Sequence, residues 1–167
     1  VRPARLNTHN HRVHANCVAV DAILAAAGAS GRVLILAEPA PTAAAAAGLL
    51  GVEVGAIANS LVFATAQDTA LLVLTSGAHR VDTAKAAALA GTAALRRADP
   101  QFVYQATGQR IGGVAPIGHP RPIPTLVDAD LGSYPQVWAA GGVPHAVFPT
   151  TFAELVRLTG GIPGSVA

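Results

Sequence analysis

The stretch from Ile111 to His119, IGGVAPIGH, carries the densest chemical signal in the chain: Gly112 and Gly113, a proline four positions after the first of them, and a further glycine, all in an apolar setting. Glycine lets a backbone approach a ligand closely or adopt positive φ, and proline fixes the exit of the turn. Such a loop can aim N–H groups at a carbonyl oxygen that becomes negative during acyl transfer. The same residues serve equally well as a structural turn. Neither the GxxxxGK[ST] nor the GxGxxG spacing is present, so this is not a phosphate loop and no cofactor is expected. His119 closes the segment ahead of Pro120. His145 follows Gly141-Gly142-Val143-Pro144, where an imidazole can orient water, hold a ribose, or bond to its own turn. Arg80, Arg110 and Arg121 border these loops and are the candidates for phosphate contact, because guanidinium grips phosphate in bidentate fashion.

The remaining reactive side chains point to structure. Asp128 and Asp130 sit before a Leu131-Gly132 turn and read as caps rather than a catalytic pair. Ser60 and Ser76 lie outside any nucleophile-elbow motif, so no Ser–His–Asp triad is assigned. With Cys17 as the single cysteine, an intrachain disulfide and a Cys-based zinc site are both excluded, and its apolar helix face makes it a core residue. His9, His11 and His14 lie in a 1–15 leader without nearby carboxylates or cysteines, so solvated side chains are expected there and no metal site.

The elements that must position these residues are legible from caps and runs. The chain has 167 residues, 51% hydrophobic and 12% charged, enough for one ordinary domain, here assigned to 16–167. No apolar run reaches the length of a membrane span, and no secretory signal is present. A net charge of +2 is too small to drive polyanion binding as a global field, so nucleic-acid contact depends on local arginine placement. Asn16 caps a first helix ending at Gly28, Thr42 one ending near Gly51, and Asp82 one ending at Gly91. Asp99 with Pro100 opens a helix stopped by Gly108, and Thr151-Phe152-Ala153-Glu154 has capping-box spacing. Strands are expected at Val33–Leu36, Ser60–Ala66, Thr69–Thr75, Thr125–Val127, Gln136–Ala139 and Ala146–Phe148, with a tight hairpin at Gln67-Asp68. This irregular order predicts a mixed α/β fold, a mixed sheet packed by helices.

Four segments taken together, 42–63, 71–91, 106–120 and 137–160, resemble the YbaK and prolyl-tRNA editing-domain family in order and approximate spacing. The resemblance implies a curved, barrel-like mixed sheet surrounded by helices, and metal-independent hydrolysis of the ester joining a wrong amino acid to tRNA, with no covalent enzyme intermediate. It implies aminoacyl-tRNA as partner, a cytoplasmic setting, and contact with an aminoacyl-tRNA synthetase. The family's GxxxP loop maps onto Gly112 to Pro116, placing Gly112, Gly113, Ala115 and Pro116 beside the ester, with His119 and Ser60 near it. Family members carry lysine ahead of the Ser/Thr-Leu pair of this strand. Here Ile57-Ala58-Asn59-Ser60-Leu61-Val62-Phe63 has asparagine, and the chain's single lysine is Lys85 in the VDTAKAAAL helix. Asparagine lacks the charge but still donates hydrogen bonds and orients water. Two functions follow: a free-standing deacylase of small mischarged amino acids using Asn59, Gly113 and His145, or a weakly catalytic binding module of the same fold.

Overall fold

The computed structural model describes residues 14–167; the expectation for His9 and His11 lies outside the described residues. Five helices and eight strands follow one another as α1 (Ala15–Ala26), β1 (Leu34–Ile35), α2 (Ala43–Leu50), β2 (Ile57–Thr65), β3 (Ala70–Ser76), α3 (Thr83–Ala90), β4 (Leu95–Arg97), α4 (Pro100–Thr107), β5 (Thr125–Asp128), β6 (Val137–Ala140), β7 (Ala146–Thr150), α5 (Phe152–Thr159) and β8 (Ile162–Gly164). Short 3-10 turns occupy Val54–Ala56 and Ala129–Ser133.

The helices start and stop where side chains and glycines satisfy their end groups. Thr42, Asp82, Asp99 and Thr151 each accept hydrogen bonds from first-turn N–H groups, and Gly51, Gly91, Gly108 and Gly160 end the same helices in the left-handed conformation. The first helix departs from expectation. It begins two residues early and is capped by His14, whose Nδ1 accepts from the Asn16 N–H at 3.0 Å. Asn16 is thereby freed to reach across the molecule, and its Nδ2 donates to the Gly142 carbonyl at 3.2 Å.

All eight strands join one mixed sheet, ordered β1-β7-β6-β2-β3-β5-β8 with β4 attached to β2. The predicted hairpin is present: the Asp68 N–H donates to the Thr65 carbonyl at 3.0 Å, and Asp68 takes a φ of 59°. β2 starts three residues before the expected Ser60 because Ile57 and Ala58 pair with Trp138 and Ala139 of β6, a partner no local pattern reveals. Strands β4 and β8 were not expected; three residues are too few for alternation to show.

Strand β3 is buried on both faces. Leu72 and Leu74 join Leu24, Phe148 and Leu155 in the main core, while Leu71 and Val73 pack with Phe63 and Ala86 on the other side. Cys17 is buried with Val143 and Ala146, and burial raises its thiol pKa. No helix among the described residues is long and apolar enough to cross a membrane.

Asp128 ends β5 with its carboxylate only 2% exposed. Its Oδ2 accepts from the Ser76 N–H at 3.0 Å and the Thr75 hydroxyl at 3.3 Å, and lies 2.9 Å from His79 Nδ1; its Oδ1 accepts from the Asp130 N–H at 3.0 Å. Asp128 thus caps the following 3-10 turn, as its sequence position suggested, and also ties it to the end of β3. Because Asp128→Ala strands several buried donors at once, chemical denaturation should show a stability loss of about 2–3 kcal/mol. A loss below about 0.5 kcal/mol would contradict this assignment.

Candidate active site

Along one edge, β2 is paired with β3 from Ala58 to Ala64. Its other edge is divided: parallel β6 occupies Ile57 and Ala58, and antiparallel β4 occupies Phe63 to Thr65. Between these, Asn59 to Val62 have no strand partner on that edge among the described residues. A cavity of about 240 Å³ opens at this break. Ligands collect at such points because diverging neighbours leave a crevice no side chain fills.

Asn59, Ser60 and Leu61 of β2 form the floor, Trp138 of β6 one wall, and Gly112 the wall opposite. The start of α2 contributes Pro41 and Thr42. A smaller recess of about 30 Å³ continues inward between Ser60, Val62, Val103 and Val114. Ser60 Oγ is buried and has no hydrogen-bond partner among the described residues. Arg97 of β4 borders both spaces, and among the described residues no aspartate, glutamate, histidine or cysteine lines either.

The glycine loop is fixed from behind. Gln109, 2% exposed, accepts the Ala115 N–H on its Oε1 at 2.7 Å. His119 Nε2 donates to the Ala115 carbonyl at 2.8 Å, since that oxygen can only accept. Gly113 lies against the Val143-Pro144 backbone, where a Cβ would stand 2.6 Å from the Pro144 nitrogen, and its N–H donates to the Arg110 carbonyl at 3.1 Å. Gly112 turns toward the cavity with φ at 92°, and a side chain there would be strained and press on Pro41.

Of the residues singled out in the sequence, Asn59, Ser60 and Gly112 therefore meet in one cavity. Gly113, Ala115 and Pro116 lie buried behind its wall, and His119 holds the loop from below. Pro144 lines the cavity; the neighbouring His145 gives its carbonyl to the Leu36 N–H, and its ring is not part of the lining. Arg80, Arg110 and Arg121 are exposed and outside the cavity, with Arg110 stacked over the Tyr104 ring at 5.4 Å. Lys85 is spent on the Ala167 carbonyl at 2.8 Å.

Sequence reasoning missed Arg97, Trp138, Gln109 and His79. Arg97 lies on a strand too short to recognise, and Gln109 looks like an ordinary loop polar residue. His79 bridges Asp128 and Asp130, at 2.9 and 3.0 Å. The three side chains bring donor atoms within 4.8 Å of one another, but both ring nitrogens already face carboxylate oxygens, so each is engaged within the cluster itself.

Burial holds the His119 imidazole below its usual pKa, with the Ala115 hydrogen bond opposing. The folded protein therefore favours the neutral ring, while the unfolded chain takes up the proton as pH falls through about 6.5. Stability present above that value is lost toward acid. His119→Asn, which keeps a donor but does not titrate, should show a smaller fall in Tm between pH 7.5 and 5.5 than the native protein. Equal falls would remove His119 from this role.

The sequence model of the aminoacyl-tRNA editing domain matches residues 37–158, a span holding the cavity and the glycine loop. Among curated proteins, the uncharacterised YwhH of Bacillus subtilis is 32% identical over 110 residues, covering 66% of this chain and 69% of its own. A crystal structure provisionally assigned as a trans-editing enzyme for prolyl-tRNA synthetase is 42% identical, covers 93% of this chain and 98% of its own, and superposes with a TM-score of 0.85. That of hypothetical protein APE2540 is 32% identical, with 89% and 98% coverage and a TM-score of 0.82. By sequence and by fold, this chain belongs to the aminoacyl-tRNA editing domain family.

Proposed function

We propose that the protein is a free-standing trans-editing aminoacyl-tRNA deacylase, hydrolysing the ester of a small amino acid mischarged on a tRNA, with a prolyl tRNA as the first candidate. The observation that carries this reading is the meeting of Asn59, Ser60 and Gly112 in one small cavity at the break in the sheet. The structural relative provisionally assigned to prolyl-tRNA editing supports it, and such a reaction belongs in the cytoplasm with the charged tRNA and its synthetase.

The chemistry follows from what the wall offers. Among the described residues it presents no imidazole or carboxylate to act as general base. The attacking group is then water, held by the Asn59 carbonyl oxygen and by the substrate's vicinal hydroxyl. As it adds to the ester carbon, charge gathers on the carbonyl oxygen. The Asn59 amide donors and the Gly112 backbone face that charge, and as the ester bond breaks the ribose oxygen leaves as the alcohol, taking up through solvent the proton that the attacking water gives up. Positioning falls to Asn59, because the His145 ring does not line the cavity. Trp138 supplies a flat apolar face on which a terminal base can stack. The inner recess holds a group no larger than one or two waters, which suits the side chain of alanine, cysteine or serine.

The second reading, a binding module of the same fold, draws on Asn59 standing where family members have lysine and on the absence of a base from the wall. A deacylation assay on tRNAs mischarged with alanine, cysteine or serine separates the two. Hydrolysis above buffer is expected for at least one ester, and Asn59→Ala should reduce it about 10²-fold. No hydrolysis with any ester would overturn the deacylase reading. Gain of activity in Asn59→Lys alone would then select the binding module.

A further inference from the structure

Among the described residues, Arg97 is the only charged one lining the cavity, and no carboxylate shares that space. Its neighbour Arg96 shows how unusual this is. Successive residues of β4 point to opposite faces. Arg96, opposite Ala64, turns to the hairpin, where its Nη2 and the Asp68 carboxylate form an ion pair of 2.6 Å. Arg97, opposite Phe63, turns to the cavity and makes no ion pair or side-chain hydrogen bond among the described residues. Arg110, which borders the glycine loop, is stacked on Tyr104 instead. A guanidinium left unpaired at the border of a carboxylate-free cavity is matched to an anion, and its planar fork fits phosphate best.

We infer that Arg97 is the phosphate anchor of this site, gripping the phosphodiester of the terminal nucleotide while the ester lies deeper against Asn59 and Gly112. This rests on the deacylase reading for the identity of the anion. It assigns the positive charge of the site to β4, a strand absent from the sequence pattern. Arg97 acts on binding and not on the bond that breaks, because it contacts the nucleotide and not the ester.

The test is a binding titration with a short RNA ending in the tRNA acceptor sequence and carrying a non-hydrolysable alanyl amide, run at 50 and 200 mM salt. Arg97→Gln should weaken binding about tenfold at the lower salt and reduce the slope of log affinity against log salt by about 0.7, the single-strand value for one phosphate contact. Arg97→Lys, which keeps the charge but not the fork, should retain the slope and recover part of the affinity. The alanyl amide of adenosine, which has no phosphate, should bind the native protein and Arg97→Gln alike. Unchanged RNA affinity and slope in Arg97→Gln would overturn the inference, as would an equal loss for the adenosine compound. Failure of the native protein to bind the RNA would overturn it together with the deacylase reading. Intact, Arg97-dependent RNA binding without hydrolysis of the matching esters would sink the deacylase reading alone.

Discussion

The division of one edge of β2 between two partners is the constraint on which the site depends. A strand paired on both edges over its full length would leave no opening, since backbone groups inside a sheet are satisfied by their neighbours. Here β6 leaves after Ala58 and β4 arrives at Phe63, and the residues between them become a floor instead of a ladder. Two kinds of side chain follow from this geometry. Of the four residues of β2 left between the two partners, the first two, Asn59 and Ser60, are polar, and the arriving strand brings Arg97 to the rim. The cavity is thus a consequence of topology before it is one of composition.

A floor of this kind is useful only if the opposite wall holds still. The loop from Gly108 to Pro120 contains no helix or strand, and its rigidity comes from buried polar groups. Gln109 and His119 hold the two sides of the Ala115 peptide, and Gly113 permits backbone contact with the Val143-Pro144 segment. Asn16 fastens the far side of that segment through Gly142. The glycine pair therefore divides its labour: Gly113 is required for close packing, and Gly112 presents backbone to the cavity. A loop that looks mobile in sequence is fixed because its polar atoms are paired out of water, where an unmade hydrogen bond is expensive.

The electrostatics are as sparse as the composition suggests, and that sparseness is informative. With few charges in the chain, those that exist are mostly committed: Arg96 to Asp68, Lys85 to the Ala167 carbonyl, His79 to two aspartates. A wall without acids or imidazoles among the described residues suits a reaction in which preorganised donors stabilise charge and the attacking oxygen comes from water. It also keeps anionic nucleic acid from meeting negative charge at the mouth.

Much of this protein was already determined by its sequence, and the reason is that the deciding physics was local. Helix caps at Thr42, Asp82, Asp99 and Thr151, the glycine stops, and the Gln67-Asp68 turn each depend on a few adjacent residues, so they can be read without knowing the fold. Asn59, Ser60 and Gly112, singled out through the resemblance of ordered segments, meet at one cavity. The tertiary structure alone decided the rest. Asn16 yielded the cap to His14 because its amide found Gly142, more than a hundred residues away. His145 stood beside the cavity without lining it, and Gly113 turned to packing. Arg97 entered the site on a three-residue strand whose existence depends on pairing with β2. Where a residue's role is set by a partner distant in the chain, no spacing encodes it, and only the packed sheet shows which arginine borders the cavity.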